Sequence, residues 1–302
     1  MNLSITSAIG HIRSFLSFVF ITVNLLIWLP GLIMAALVRI ILPTQPVKKT
    51  MFRVVSLIYK AAVNIDTWYL TQILKINLNI DAPEELLDEL SRPGKSLVIC
   101  NHQSWFDIFV LQALICRGSP ILQFVIKREL LWVPVLGWVC LVLDFPRMQR
   151  KKDPQSRLLD RKTAKQASWN LNDEQGALML FPEGTRSRDG DMGKGKTGVA
   201  RLAAMTDAAV VPVAIRQTDD VWPVSKRAPR PWRKFYYKFG DPMYFDYKEE
   251  THDNFREFTD KIMSKISELS EECEEYWNSR KITNRLKNWK DKTRQRIASW
   301  RE

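Results

Sequence analysis

No charged residue lies between Arg13 and Arg39, and in the 24 residues from Phe15 to Val38 only Ser17, Thr22, Asn24, Pro30 and Gly31 interrupt an apolar sequence. As one helix this stretch reaches about 36 Å, against a bilayer hydrocarbon core of roughly 30 Å. A cleaved leader fits poorly, because its apolar region would run only about 7–15 residues and end at a small-residue cleavage site, so the segment is expected to stay attached. Two arrangements remain open: a single membrane span, or a pair of half-helices broken at Pro30-Gly31 and lying in one leaflet. In the spanning case, Arg13 before the segment is outweighed by Arg39, Lys48, Lys49 and Arg53 after it, which places the rest of the chain in the cytoplasm.

The remainder is long enough for a folded domain. Lys and Arg outnumber Asp and Glu by 45 to 33, a net charge of +12, which favours an anionic partner: a phospholipid surface, a phosphorylated substrate or a nucleic acid. Cys100, Cys116, Cys140 and Cys273 are far apart, with no C-x-x-C pair, and fit a reducing compartment without structural disulfides or bound metal. The chain divides into an N-terminal membrane segment (1–50), an interfacial helical region (51–90), an α/β domain (91–250) and a helical, basic extension (251–302). Within the second of these, Val54 to Ile80 reads as a helix whose Tyr59, Trp68 and Tyr69 suit a membrane interface.

After the turn at Arg92-Pro93-Gly94, short apolar runs alternate with helical segments, the pattern of a sheet covered by helices on both faces. Strands are expected at Ser96–Cys100, Ile121–Ile126, Leu141–Phe145, Ala177–Phe181, Val210–Ile215 and Lys234–Phe239, and helices at Asp107–Cys116, Gln155–Leu171 and Thr197–Thr206. From Phe255 an apolar stripe runs through Phe258, Ile262, Ile266, Leu269, Cys273 and Tyr276, and this stretch is expected to pack on the domain. Beyond Asn278 the stripe continues through Ile282, Leu286, Trp289 and Ile297, with nine Lys and Arg residues loading the other face. That half reads equally as a membrane-surface anchor and as a solvated helix; a nucleic-acid-binding tail is a third, weaker alternative.

Two segments carry residues suited to chemistry. At the end of the first expected strand stands Asn101-His102-Gln103-Ser104-Trp105-Phe106-Asp107, where the following turn can fold Asp107 back onto the His102 imidazole. A carboxylate on one ring nitrogen fixes the tautomer and leaves the other nitrogen to take a proton from a hydroxyl. Asp107 could equally cap the helix it begins. The second segment, Phe181-Pro182-Glu183-Gly184-Thr185-Arg186-Ser187-Arg188, also follows a strand, in the place where an α/β sheet usually binds ligand. Its arginines suit a phosphate, although by itself it reads as a solvated basic loop.

Gly190-Asp191-Met192-Gly193-Lys194-Gly195-Lys196-Thr197 fits the nucleotide-binding pattern G-x-x-x-x-G-K-[ST] letter for letter. That motif works only when its first glycine directly follows a strand, so that backbone N–H groups wrap the phosphates. Here the expected strand ends at Phe181, and Pro182 to Asp189 intervene, so nucleotide binding is not the favoured reading.

The order N-H-x-x-x-x-D then F-P-E-G resembles the lysophospholipid and glycerol-phosphate acyltransferase family over roughly residues 90 to 220. Lys127-Arg128-Glu129-Leu130 with Pro134 and Gly137, Lys196-Thr197-Gly198 and Val211-Pro212-Val213 look like further blocks of it. The family's F-I-x-R block is matched imperfectly by Arg147-Met148-Gln149-Arg150, with Arg150 in the arginine position and Arg147 in place of the aromatic residue. The resemblance implies an α/β fold, a mixed sheet flanked by helices, with an N-terminal membrane helix and a C-terminal amphipathic helix. It also implies fatty acyl transfer from a thioester, acyl-CoA or acyl carrier protein, to the hydroxyl of a lysophospholipid, with lysophosphatidic acid as the default acceptor and lysophosphatidylinositol- or cardiolipin-type lipids as alternatives. On that basis His102 is expected to act as general base and Asp107 to orient it, while Lys127, Arg150, Glu183, Gly184, Thr185, Arg186 and Lys196 form the acceptor site. No cofactor or metal is expected. Membrane lipids are the expected partners rather than nucleic acid, and a bacterial inner membrane, on its cytoplasmic face, the expected location. A Ser–His acyl-enzyme through Ser104 is a variant of this scheme. A nucleotide-dependent membrane protein and a lipid- or RNA-binding adaptor are the other classes.

Overall fold

The computed structural model describes residues 2–90, 95–104, 106–115, 121–132, 136–143, 145–148, 162–168, 177–184, 192–223 and 229–298. The apolar N-terminus forms a single helix, α1 (Asn2–Ile41), which continues through Pro30 rather than dividing into two halves. Its apolar portion, Phe15–Ile41, is 27 residues long and is the one helix among the described residues with the length and composition to cross a membrane. After a short turn, α2 (Gln45–Trp68) and a π-helical turn over Tyr69–Ile73 run back along it.

The pairing of α1 with α2 is antiparallel and is fixed by particular contacts. The Ser17 and Tyr69 hydroxyls are 2.9 Å apart, the Phe20 and Tyr69 rings stack at 4.0 Å, and the Asn24 amide donates to the Ala62 carbonyl at 2.8 Å. Further along, Gly31 lets Ile58 approach, since a Cβ there would lie 3.1 Å from Ile58 Cδ1. Residues near 17 and 69 therefore share one end of the hairpin, and the turn at 42–44 forms the other. The Arg13 guanidinium lies 4.4 Å over the Trp232 ring, so the α/β domain sits at the Arg13 end. The charges of α2, among them Lys48, Lys49 and Arg53, lie alongside the apolar helix rather than beyond it.

Residues 69–81 depart from the expected helix over Val54 to Ile80. Helix gives way at Ile73, Lys75 takes a positive φ of 54°, and Asn77–Asp81 forms strand β1. The other elements in chain order are α3 (Glu84–Leu90), β2 (Ser96–Cys100), α4 (Phe106–Ile115), β3 (Gln123–Phe124), β4 (Ile126–Lys127), a 3₁₀ turn (Arg128–Trp132), α5 (Leu136–Val142), β5 (Arg147–Met148), α6 over 162–168, β6 (Leu178–Leu180), α7 (Gly198–Thr206), β7 (Ala209–Arg216), α8 (Thr218–Val221), β8 (Lys234–Phe239) and α9 (His252–Ala298).

Six strands form one sheet in the order β1-β8-β7-β2-β6-β3. It is mixed: β7 and β8 are antiparallel and the other neighbours are parallel. β4 and β5 pair separately in a parallel two-stranded ribbon. Two expectations are corrected by this topology. The run Ile121–Ile126 is divided between the large sheet and the ribbon, and Leu141–Phe145 is not a strand, because its beginning completes α5. A continuous apolar run carries no period to separate strand from buried helix, which explains the second difference.

Both faces of the sheet are covered, so β2 is buried at every position and apolar from Leu97 to Cys100. Val98 and Cys100 face a cluster built with α2, α4 and α5, whereas Leu97 and Ile99 face one built with α7 and α9. The first half of α9 packs on that second side through Phe255, Phe258, Ile262 and Ile266, and Leu269 and Cys273 continue the seam. Salt bridges from Lys238 to Asp81 and Glu272, each 2.8 Å, and from Arg216 to Glu274 fasten its edge. The helix backbone continues to Ala298. The side chains that set the expected basic face beyond Asn278 lie outside the described residues.

Candidate active site

β2 ends at Cys100, and the four residues that follow cross the carboxyl edge of the sheet before α4 begins. Asn101 fixes the exit: its amide donates to the Ile215 carbonyl at 2.8 Å and accepts from the Ile215 N–H at 2.7 Å, so the loop is attached to β7. The next residue, His102, then faces the first turn of α4. Its Nδ1 lies 2.9 Å from Asp107 Oδ2, which also accepts the N–H groups of Gln103 (2.8 Å) and Ser104 (2.9 Å). Asp107 is fully buried, and one oxygen with three donors around it is held as an acceptor, which favours the Nδ1–H tautomer and leaves Nε2 with a lone pair. The His102 side chain keeps 15% of its surface, enough for one edge to meet a substrate, while Phe181 stacks on the ring at 3.8 Å and fixes its plane.

Phe181 is also the first residue of the second motif. The chain turns sharply after β6, with the Gly184 N–H donating to the Phe181 carbonyl at 3.0 Å and Gly184 at φ 73°, a left-handed conformation suited to glycine. This turn carries Glu183 inward, where Oε2 accepts the Gly193 N–H at 2.9 Å and Oε1 has no partner among the described residues. Burial pushes the Glu183 carboxyl above its ordinary range, partly opposed by the Gly193 and His102 backbone N–H groups and by the imidazole charge. Lys196 crosses the turn: its backbone N–H donates to the Pro182 carbonyl at 3.0 Å, and its Nζ lies where a Cβ on Gly184 would come within 2.6 Å. An imidazole with a free nitrogen, a buried carboxyl and a lysine ammonium thus share one end of the sheet.

Of the residues singled out from the sequence, His102, Asp107, Glu183, Gly184 and Lys196 are brought together. Lys127 is exposed on the β4–β5 ribbon, where Ile126 and Lys127 pair with Arg147 and Met148. Arg147 is half-buried, and its carbonyl accepts the Thr163 hydroxyl. Arg150, Thr185 and Arg186 lie outside the described residues. Ser104 is committed elsewhere. Its buried hydroxyl donates to the Trp222 carbonyl at 2.6 Å and accepts the Phe106 N–H at 3.2 Å, capping α4.

The nucleotide-like stretch is likewise occupied by the protein itself. The N–H groups of Gly193 and Lys196, which would have to cradle phosphate, bond Glu183 and Pro182. Gly195 is pressed against α9, where a Cβ would meet Met263 and Thr259 within 3 Å, and its carbonyl accepts from Arg256 at 2.8 Å. Sequence reasoning missed Asn101 and the stacking role of Phe181. Both lie inside the motifs, but their partners, Ile215 and His102, are distant in the chain.

Residues 84–216 match the family model described as Acyltransferase. The chain is 30% identical over 146 residues to the chloroplastic 1-acyl-sn-glycerol-3-phosphate acyltransferase LPAT1 of Arabidopsis thaliana, covering 48% of this chain and 38% of that one. It is 37% identical over 133 residues to the 1-acyl-sn-glycerol-3-phosphate acyltransferase of Pseudomonas aeruginosa, covering 43% and 48%. The matched segments thus span less than half the length of these relatives. Among solved structures, the 1-acyl-sn-glycerophosphate acyltransferase PlsC from Thermotoga maritima has the same fold, with a TM-score of 0.59 at 20% identity, covering 88% of this chain and 97% of that one.

Proposed function

We propose that this chain, whose residues 84–216 match the Acyltransferase family model and whose fold is that of PlsC, moves a fatty acyl chain from a thioester to the free hydroxyl of a lysophospholipid, converting lysophosphatidic acid to phosphatidic acid. The observation that carries this reading is the His102–Asp107 pair, with Nδ1 held at 2.9 Å and Nε2 left available beside a turn that presents Glu183 and Lys196. Nε2 takes the proton of the acceptor hydroxyl as its oxygen attacks the thioester carbonyl carbon. Asp107 stabilises the imidazolium that forms. As the tetrahedral adduct collapses, the carbon–sulfur bond breaks, and the thiolate of acyl-CoA or acyl carrier protein receives the proton from His102. No acyl-enzyme is needed, consistent with a Ser104 hydroxyl engaged as a helix cap.

Lys196, with Lys127, Arg150, Thr185 and Arg186, supplies the cationic and hydroxyl groups for the acceptor phosphate, and Glu183 and Gly184 shape the glycerol site. The α1–α2 hairpin brings the enzyme to its lipid substrate. With the domain at the Arg13 end and the charges of α2 alongside α1, it enters the membrane from one face, which we assign to the cytoplasmic side of a bacterial inner membrane. The test is to incubate membranes containing the wild type or His102→Ala with lysophosphatidic acid and an acyl-CoA, and to measure phosphatidic acid by mass spectrometry. Product from the wild type and background from the variant is the expected result. Equal activity above background in both would remove His102 from the mechanism. Background in both would direct the search to acyl carrier protein donors and to lysophosphatidylinositol- or cardiolipin-type acceptors.

A further inference from the structure

Behind the His102–Asp107 pair, two buried polar atoms face the same problem. Asp107 Oδ1 and the Tyr237 hydroxyl are both sealed from solvent, and neither has a hydrogen-bond partner among the described residues. Buried groups of this kind are rarely left alone, and each such case calls for a physical account. The two are complementary, because an ionised carboxylate only accepts and a phenol can donate.

Two chains of contact connect the residues that carry them. On the α4 side of the sheet, the Phe106 ring, adjacent to Asp107 in the chain, meets Phe235 edge-on at 4.8 Å, and Phe235 meets Tyr237 edge-on at 5.3 Å. Through the sheet, Tyr237 of β8 pairs with Ile215 of β7, and Ile215 is the residue whose backbone is held by Asn101, next to His102. Complete burial first, and then the charge of Asp107, pushes the Tyr237 hydroxyl well above its ordinary range, so it remains protonated and able to donate.

We propose that Tyr237 is a positioning residue, its hydroxyl donating through one buried water molecule to Asp107 Oδ1, so that the His102–Asp107 pair extends into a His–Asp–water–Tyr chain. The two atoms make no direct bond, and a single water with polar partners on both sides satisfies each of them. Cys100 lines the same interior. Its fully buried thiol is pushed well above the usual range, first by burial and then by the Asp107 and Glu183 charges, so it stays neutral. Glu183, from the turn after β6, and Lys196, which crosses that turn, are further titratable groups on the His102 side. The chain fixes the second oxygen of Asp107 and therefore the direction in which the first presents itself to Nδ1.

Tyr237→Phe removes only the hydroxyl. The inference rests on the acyltransferase reading for its kinetic readout but not for its spectroscopic one. The His102 Nδ1–H proton, identified by its loss in His102→Ala, is observed by NMR in the full-length protein. In Tyr237→Phe it should move downfield, because Asp107 then directs more of its charge to the imidazole. In the acyl-transfer assay, kcat should fall roughly three- to ten-fold with KM unchanged, the size expected for one such hydrogen bond. An unmoved resonance overturns the proposal, whether or not kcat falls. A moved resonance in a protein without acyltransferase activity supports it while removing the functional reading. Should Tyr237→Phe not fold, 3-fluorotyrosine introduced at position 237 makes the phenol a stronger donor, and an upfield move is then the supporting result. A crystal structure of the wild type that resolves ordered waters is an independent test: a water touching both atoms supports the chain, and direct apolar packing between them overturns it.

Discussion

Asn101 holds both backbone groups of Ile215, donating to its carbonyl at 2.8 Å and accepting from its N–H at 2.7 Å, although 114 positions separate them. The residue before His102 is thereby attached to the neighbouring strand, and the height of the imidazole above the sheet is set by β7 rather than by the loop alone. Asn101→Ala leaves two buried backbone groups without partners, a loss of about 2–4 kcal/mol. A lower thermal midpoint should accompany reduced turnover, and a variant that keeps both would show that the loop is positioned without this link.

Asp107→Asn tests the charge behind the base. Oδ2 alone carries the contacts to His102 Nδ1, Gln103 N–H and Ser104 N–H, so an amide oxygen in its place keeps all three and puts the NH₂ at the Oδ1 position, which has no partner among the described residues. The Nδ1–H tautomer is kept, and what is lost is the negative charge that stabilises the imidazolium formed when Nε2 takes the hydroxyl proton. Turnover should fall by roughly 10²- to 10⁴-fold with an unchanged thermal midpoint, measured as phosphatidic acid formed per enzyme, and turnover equal to wild type would remove the Asp107 charge from the mechanism.

Much of this architecture is legible in the sequence, for physical reasons. β2, β7 and β8 are rich in β-branched and aromatic residues and are bounded by breaks, so the expected Lys234–Phe239 strand coincides with the observed one. β1 is hidden because Asn77-Leu78-Asn79-Ile80-Asp81 follows directly on a helical apolar pattern, and its strand character depends on pairing with β8, 157 positions away. The site divides the same way. His102, Asp107, Glu183 and Gly184 are visible because local turns place them, and motif spacing records local turns. Phe181 stacking on His102, Asn101 bonding Ile215, and Tyr237 behind Asp107 arise from strand order, which no spacing records.

The two hydrogen bonds of Ser104 make it a support for α4 rather than a nucleophile. Ser104→Ala should lower stability by about 1 kcal/mol through the lost cap. Activity should stay within about tenfold of wild type, whereas losing a true nucleophile costs on the order of 10⁶. Intact-protein mass spectrometry after mixing with acyl-CoA should show no acyl adduct on Ser104, and an adduct there would restore the acyl-enzyme scheme.

Gly184 combines a left-handed backbone with the close passage of Lys196. Gly184→Ala adds strain of about 1–2 kcal/mol and drives the new methyl group into the ammonium, displacing it from the turn. If Lys196 holds the acceptor phosphate, KM for lysophosphatidic acid should rise more than KM for the thioester. A uniform loss in kcat without that bias would remove Lys196 from the phosphate site.

Glu183 makes stability depend on pH in a direction that can be worked out. Burial raises its carboxyl above the usual value of 4.5, so between that value and the raised one the folded protein holds a proton that the unfolded chain has released. Stability therefore falls as pH rises through this interval and stays lowered above it. Glu183→Gln retains an oxygen for the Gly193 N–H but carries no charge to bury. The thermal midpoint of the variant relative to wild type should consequently be higher at pH 7.5 than at pH 5, even as acyl transfer declines because the carboxylate beside His102 is gone. A difference between the two proteins that does not change with pH would mean that the buried carboxyl is not what the folded state carries at a cost, and that Glu183 is held for its shape alone.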